Sequence, residues 1–138
     1  MSVRISRVLL DAVLARAAAL PDREVCGLLF GPSGRIAQAE ATDNVAADPA
    51  RHFEIDPAAL FAAIRADRRG GRGLAGHYHS HPGGSAIPSA NDAAAAVRPG
   101  WLWLIVAGGE ATLWRERPGG PVQGAFEAVP LVADGGCT

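Results

Sequence analysis

Apolar residues along this chain switch between two periods, and the switches mark its elements. Val3-Arg4-Ile5 alternates and predicts a short strand, after which Ser6 offers an N-cap. Val8, Leu9, Ala12, Val13, Ala17 and Leu20 then recur at helical spacing. Arg16 borders that stripe, its stem covering apolar surface while its charge stays in water. Pro21-Asp22 ends the helix. Residues 24–30 form an apolar, β-prone run in which Glu24 is the odd residue. A carboxylate at the start of a buried strand is paired, at a solvent edge, or functional. Gly31-Pro32-Ser33-Gly34 predicts a turn into a strand over 35–40.

Residues 43–51 are polar and read as a loop, and 52–55 alternate as a short strand whose His52 suits a surface or edge position. Asp56-Pro57 is an N-cap followed by proline at the first helical position. The helix it opens turns Leu60, Phe61 and Ile64 inward and closes on Arg65, Arg68, Arg69 and Arg72, which suit a helix C-terminus. A strand over 73–81 follows, then a Gly83-Gly84-Ser85 turn and an alanine-rich helix over 89–97. Residues 101–106 make a strongly apolar strand, Gly108-Gly109 turns it, and 111–115 return antiparallel. The last strand spans 125–132, and 134–138 read as a frayed tail. Strands alternating with helices, then a hairpin, indicate an α/β fold with helices packed on a sheet. The expected organisation is one domain over 1–133 with a flexible tail over 134–138.

Composition narrows the function. The chain is 49% hydrophobic and 20% charged over 138 residues, as a folded globule requires. A net charge of −1 gives no reason to expect nucleic acid, and no apolar run is long enough for a membrane span. Two cysteines, Cys26 and Cys137, make neither a disulfide framework nor a paired metal motif, which favours the cytoplasm. Cys26 lies two residues after Glu24 and shares its face as a small packing residue, with a site-lining thiol as the alternative. All 13 basic residues are arginine, in keeping with an alanine- and glycine-rich coding bias.

The chemistry concentrates in GHYHSHPGGSAIPSAND, from Gly76 to Asp92. His77, His79 and His81 alternate, so on a strand they share a face at about 6–7 Å spacing. Two such imidazoles can converge on one zinc ion, and a carboxylate from the next helix's first turn can return as a third ligand. Three protein ligands leave a position open for water, the arrangement of a catalytic site. Ser89 and Asp92 also suit a plain helix-capping pair, which needs no metal. The conjunction favours chemistry: composition alone would produce His79, His81, Pro82, Ser89 and Asp92 at this spacing with odds on the order of 10⁻⁵.

His79, Ser80, His81, Pro82, Ser89 and Asp92 match without a gap the pattern His-x-His-Pro-x6-Ser-x2-Asp. The chain thereby resembles the JAMM (MPN-plus) metalloproteases, whose distant glutamate corresponds to Glu24 in EVCGLLFG. The resemblance implies a three-layer fold related to cytidine deaminases, with a mixed, curved sheet flanked by helices. It implies one zinc per chain held by His79, His81 and Asp92, with Glu24 as general base and Ser89 as oxyanion stabiliser. His77, Gly83 and Gly84 are candidate lining residues. The implied reaction is hydrolysis after the C-terminal Gly-Gly of a ubiquitin-like protein, which the enzyme engages through its tail. Processing of a sulfur-carrier protein is the alternative, and a non-catalytic scaffold of the same fold is a further one. A RadC-type protein and a metal-binding regulator are rival readings of the same histidines.

Overall fold

A computed structural model of the chain describes residues 2–135. Its elements, in order, are β1 (Val3–Ser6), α1 (Arg7–Ala19), β2 (Cys26–Phe30), β3 (Arg35–Ile36), β4 (Gln38–Thr42), α2 (Pro57–Arg68) and β5 (Leu74–Ser80). They continue with α3 (Ala90–Ala95), β6 (Leu102–Ala107), β7 (Glu110–Glu116), β8 (Phe126–Val129) and β9 (Leu131–Asp134). Six strands form a mixed sheet in the order β4-β2-β5-β6-β7-β8, and a small sheet is ordered β3-β1-β9. Among the described residues only β5 and β6 run parallel in the large sheet, with α3 in the crossover between them.

Period-two alternation divides the core into two faces. Leu29, Tyr78, Leu102, Leu104 and Val106 pack with Leu10 and Val13 of α1 and with Val3, Ile5 and Ile36 of the small sheet. The opposite face joins Cys26, Leu28 and Phe30 to Ala63 of α2, and Trp103 and Ile105 to Ala93 and Ala96 beside α3. The large sheet is therefore the middle of three layers, as the family resemblance implies. Close approach of β5 to β6 depends on Gly76, where a Cβ would run into the Leu102 carbonyl oxygen.

Several expectations are corrected. The strand expected over 35–40 is two strands, one in each sheet: Arg35 and Ile36 pair with β1, and 38–42 pair with β2. Ala37 makes the crossing and donates its N–H to Phe30 O at 2.7 Å. The strand expected over 125–132 divides likewise at Pro130, which has no N–H to give but accepts from Val3 N at 2.9 Å. Residues 52–55 make only a single bridge, Ile55 to Asn44, instead of a strand. The buried strand begins at Cys26, so Glu24 and Val25 form its lead-in.

The helical faces are also rotated from expectation. Val8 and Phe61 are 72% and 54% exposed, and Leu10 and Ala63 take the inner positions. Arg16 does not keep its charge in water; its guanidinium turns in to donate to Cys26 O, Thr42 O and Tyr78 Oη. Asp134, expected in the frayed tail, ends β9 and pairs with Arg35 at 2.8 Å and Arg4 at 3.2 Å. Cys137 and the remainder of the expected tail, 136–138, lie outside the described residues.

Candidate metal centre

The site forms just beyond the C-terminal end of β5, where the chain leaves the parallel β5–β6 pair and crosses through α3. Crevices at such strand ends are the usual ligand sites of α/β sheets. His79 is fully buried on the face that carries Cys26 and Trp103. His81, one residue past the strand, swings its ring back so that the two Nε2 atoms lie 3.0 Å apart. Asp92 closes the set, with Oδ1 3.1 Å from His79 Nε2 and Oδ2 3.1 Å from His81 Nε2.

Asp92 reaches this position through the first turn of α3. Ser89 is the N-cap: its Oγ accepts from Asp92 N at 3.0 Å, and Asp92 Oδ2 accepts from Ser89 N at 2.9 Å. The capping reading of this pair is thus realised, and it holds the carboxylate against the histidines. Because Ser89 Oγ uses a lone pair for the cap, its O–H stays available as a donor.

Glu24 arrives from the other side. Ser80, between the two histidines, accepts from Val25 N at 2.9 Å through Oγ and donates its own N–H to Val25 O at 3.0 Å. Asn44 accordingly serves as a brace: Nδ2 donates to Glu24 O and His52 O at 2.9 Å each, and Oδ1 accepts from Ala46 N and Glu54 N. These bonds set Glu24 so that ligand atoms of Glu24, His79 and His81 lie within 4.8 Å of one another.

The donor set fits zinc. Tetrahedral coordination at about 2.0–2.1 Å places ligand atoms roughly 3.3 Å apart, close to the triangle of His79, His81 and Asp92. The Nδ1 of His81 lies 2.8 Å from Ser85 O; donation there directs the Nε2 lone pair inward, as a metal-bound imidazole needs. His79 Nδ1 is buried without a partner among the described residues, and its ring is instead held by Phe53, stacked at 4.1 Å.

The family described as prokaryotic homologs of the JAB domain matches residues 6–117. The chain belongs to this JAB (JAMM/MPN) family. A desampylase of Haloferax volcanii is 38% identical over 101 residues, covering 69% of this chain and 73% of that protein. A probable TtuB-protein conjugate cleaving protease of Thermus thermophilus is 45% identical over 49 residues, 36% of this chain and 33% of that protein. The solution structure of protein DSY2949 from Desulfitobacterium hafniense superposes with a TM-score of 0.76 at 25% identity, covering 96% of this chain and 92% of that one.

Electrostatics of the JAB site separate its carboxylates. Burial pushes the Glu24 carboxyl up to about 7, with His81 opposing the shift and Asp92 adding to it. Burial acts upward on Asp92 too, but hydrogen bonds from His79 and His81 outweigh it and hold the carboxyl well below the usual range. His77 shares the strand face without joining the ligand set; its ring centroid is 6.4 Å from that of His79. Burial drives its pKa down to about 3, so the ring is neutral. Gly83 and Gly84 form the turn after His81, with Gly84 lining the open cleft beside Glu24 and Ser89 and Gly83 lining a cavity on the α1 side. Cys26 packs with Leu28, Phe30 and Ile55, and burial raises its thiol pKa. His52 is exposed. Phe53 and Asn44 escaped the sequence reading, because a loop residue shows its role only once the loop lies over a strand more than twenty residues away.

No helix among the described residues is long and apolar enough to cross a membrane.

Proposed function

We propose that the protein is a zinc-dependent isopeptidase that hydrolyses the bond after the C-terminal Gly-Gly of a ubiquitin-like protein. The observation that carries this reading is the set of Glu24, His79 and His81 ligand atoms within 4.8 Å, with Asp92 bonded to both imidazoles. In this reading His79, His81 and Asp92 hold one zinc ion and Glu24 stays unbound. Zinc, when present, polarises the scissile carbonyl and lowers the pKa of water at the site toward about 7.

The protein's own groups supply the rest. Glu24, raised to about 7, matches the pH at which a base is both free to accept a proton and willing to return it. It takes the proton of the attacking water and hands it to the leaving amine as the C–N bond breaks. The Ser89 hydroxyl donates to the carbonyl oxygen as negative charge builds there. The cap bond from Asp92 N keeps Ser89 Oγ oriented, so no reorganisation is needed during reaction.

The cleft beside these groups supports a protein leaving group. A wide opening of about 480 Å³ is lined by Glu24, Arg51, His81, Ser85 and Ser89. The relatives named as a desampylase and a conjugate-cleaving protease support deconjugation as the activity. A ubiquitin-like protein fused through Gly-Gly to a short peptide, incubated with the zinc-loaded enzyme and followed by intact mass, tests the reading. Cleavage is expected directly after the second glycine and is lost with chelator. Equal cutting of an Ala-Ala fusion, or cutting elsewhere, overturns the Gly-Gly assignment.

A further inference from the structure

Residues 83–88 join His81-Pro82 to Ser89, so one loop connects the strand-end histidine to the cap that carries Asp92. Gly83 and Gly84 open it, and Gly83 takes the left-handed region at φ +67°. The loop bears directly on a metal-ligand residue, because Ser85 O lies 2.8 Å from His81 Nδ1. The next residue, Ala86, is buried against Trp103, Ile105, Trp114 and Phe126. Its carbonyl accepts from Thr112 Oγ1 at 2.5 Å, a bond between the loop and β7.

A threonine inside a strand is ordinary, since β-branched side chains suit a pleated surface. What distinguishes Thr112 is its row and its hydrogen bonds. Pairing sets His79 of β5 beside Ile105 of β6, and Ile105 opposite Thr112 of β7. Thr112 therefore stands two strands from His79, on the same face of the sheet. Trp114 Nε1 donates to Thr112 Oγ1 at 2.9 Å. An indole N–H can only donate, so Oγ1 accepts there and the hydroxyl's single proton is directed to Ala86 O. Bonds chained in this way polarise one another. Ser85 and Ala86 carry consecutive carbonyls on planar peptides, so holding the second restricts where the first can point.

We propose that Thr112 is a positioning residue of the metal centre. Its hydroxyl pins the 83–88 loop, so that Ser85 O holds the His81 ring with Nε2 turned toward Asp92. The inference rests on the zinc-site part of the isopeptidase reading above. Removing the group that a ligating histidine donates to costs roughly 10- to 100-fold in metal affinity. Thr112 acts one step further out, through the loop, which places its effect at the lower end of that range. A hydroxyl that merely satisfied Trp114 Nε1 and Ala86 O would contribute stability and leave zinc affinity unmoved.

The test measures zinc affinity by chelator competition, at a temperature where every variant is folded, so that the two roles separate. Thr112→Val keeps the shape, removes the hydroxyl, and should weaken zinc binding by about tenfold. In the zinc-loaded protein, NMR should show the His81 Nδ1 proton exchanging with water faster than in wild type. Thr112→Ser restores the hydroxyl and should return both readouts to wild type. Val129→Ala, at a buried position of β8 in the core on the other face, should lower the Tm and change neither readout. If Thr112→Val does not fold, Trp114→Phe leaves the hydroxyl in place without its indole donor and should also quicken the His81 exchange. Wild-type zinc affinity and exchange in the folded variant, or the same losses in Val129→Ala, overturn the role of Thr112 and leave the isopeptidase reading standing. A wild-type protein that binds no zinc overturns both.

Discussion

Asp92 carries two duties on one carboxylate, since Oδ2 both faces His81 Nε2 and accepts the Ser89 N–H that caps α3. Glu24 has no such partner and sits at the edge of the same cluster with a raised pKa. The two acids should therefore respond differently to amide substitution. Glu24→Gln is expected to keep its zinc, measured by elemental analysis, and to lose roughly 10²–10⁴ in turnover. Asp92→Ala and His79→Ala should lose most of the metal; full zinc in both would refute the ligand assignment. Ser89→Ala should slow turnover by about 10²–10³ and lower stability by about 1 kcal/mol through the cap. A pH effect follows from Glu24 alone. Its folded pKa of about 7 lies above the ordinary 4.5, so the folded state holds the proton more tightly and loses stability as pH rises between those values. In chelator-stripped protein Glu24→Gln should therefore raise the Tm at pH 8 and leave it unchanged at pH 4; a Tm gain that is the same at both would show that Glu24 is not buried at this cost. His79, Ser89 and Asp92 were legible in the sequence because short-range spacing sets them, and distant Glu24 was legible only through the family resemblance. Phe53 was not, because its stacking on His79 joins residues 26 apart through the loop that Asn44 holds.

Strand ends do the assembling at the next scale. Ser80 belongs to β5 and ties it to Val25 by both Oγ and N, so the segment bearing Glu24 is fastened between the two histidines. Ser80→Ala keeps the main-chain bond and removes the other, leaving the buried Val25 N–H without an acceptor at a cost of about 1–3 kcal/mol. Turnover should fall further than zinc content, because Glu24 is displaced while His79, His81 and Asp92 remain. A loss of zinc in proportion to activity would mean that the link serves the ligand strand instead. Most strands were readable from apolar runs or alternation, and the N-caps at Ser6, Asp56 and Ser89 were readable from their residues. Division of strands between sheets was not. Ile36 and Ala37 are consecutive apolar residues, a one-residue slip in the alternation that does not by itself separate two sheets, and pairing partners decide the split. Pro130 was a visible breaker whose consequence depends on Val3, which lies at the opposite end of the sequence.

For the whole molecule, three-layer order follows from two apolar faces on one sheet, and it places the candidate metal ligands where the end of β5 meets the first turn of α3. The family resemblance made that architecture legible, although composition and periodicity alone gave only helices packed on a sheet. The small sheet sits on the face away from the site, with β1 in its middle. There Val3 to Ser6 run parallel to Leu131 to Asp134, rung against rung, and Asp134 clamps Arg4 and Arg35 beside them. Parallel neighbours near opposite ends of a chain respond to force in a particular way. Tension applied before β1 and after β9 drags the two strands past each other along their length, so that all rungs bear load together instead of opening singly. Single-molecule pulling in that direction should give a higher rupture force than pulling across the β6–β7 hairpin from the Gly108-Gly109 turn, where the rungs open in sequence. Asp134→Ala should lower the first force and leave the second unchanged. A machine that unfolds this protein by threading it from one end would meet its resistance at the β1–β9 seam, with the catalytic cleft still intact behind it.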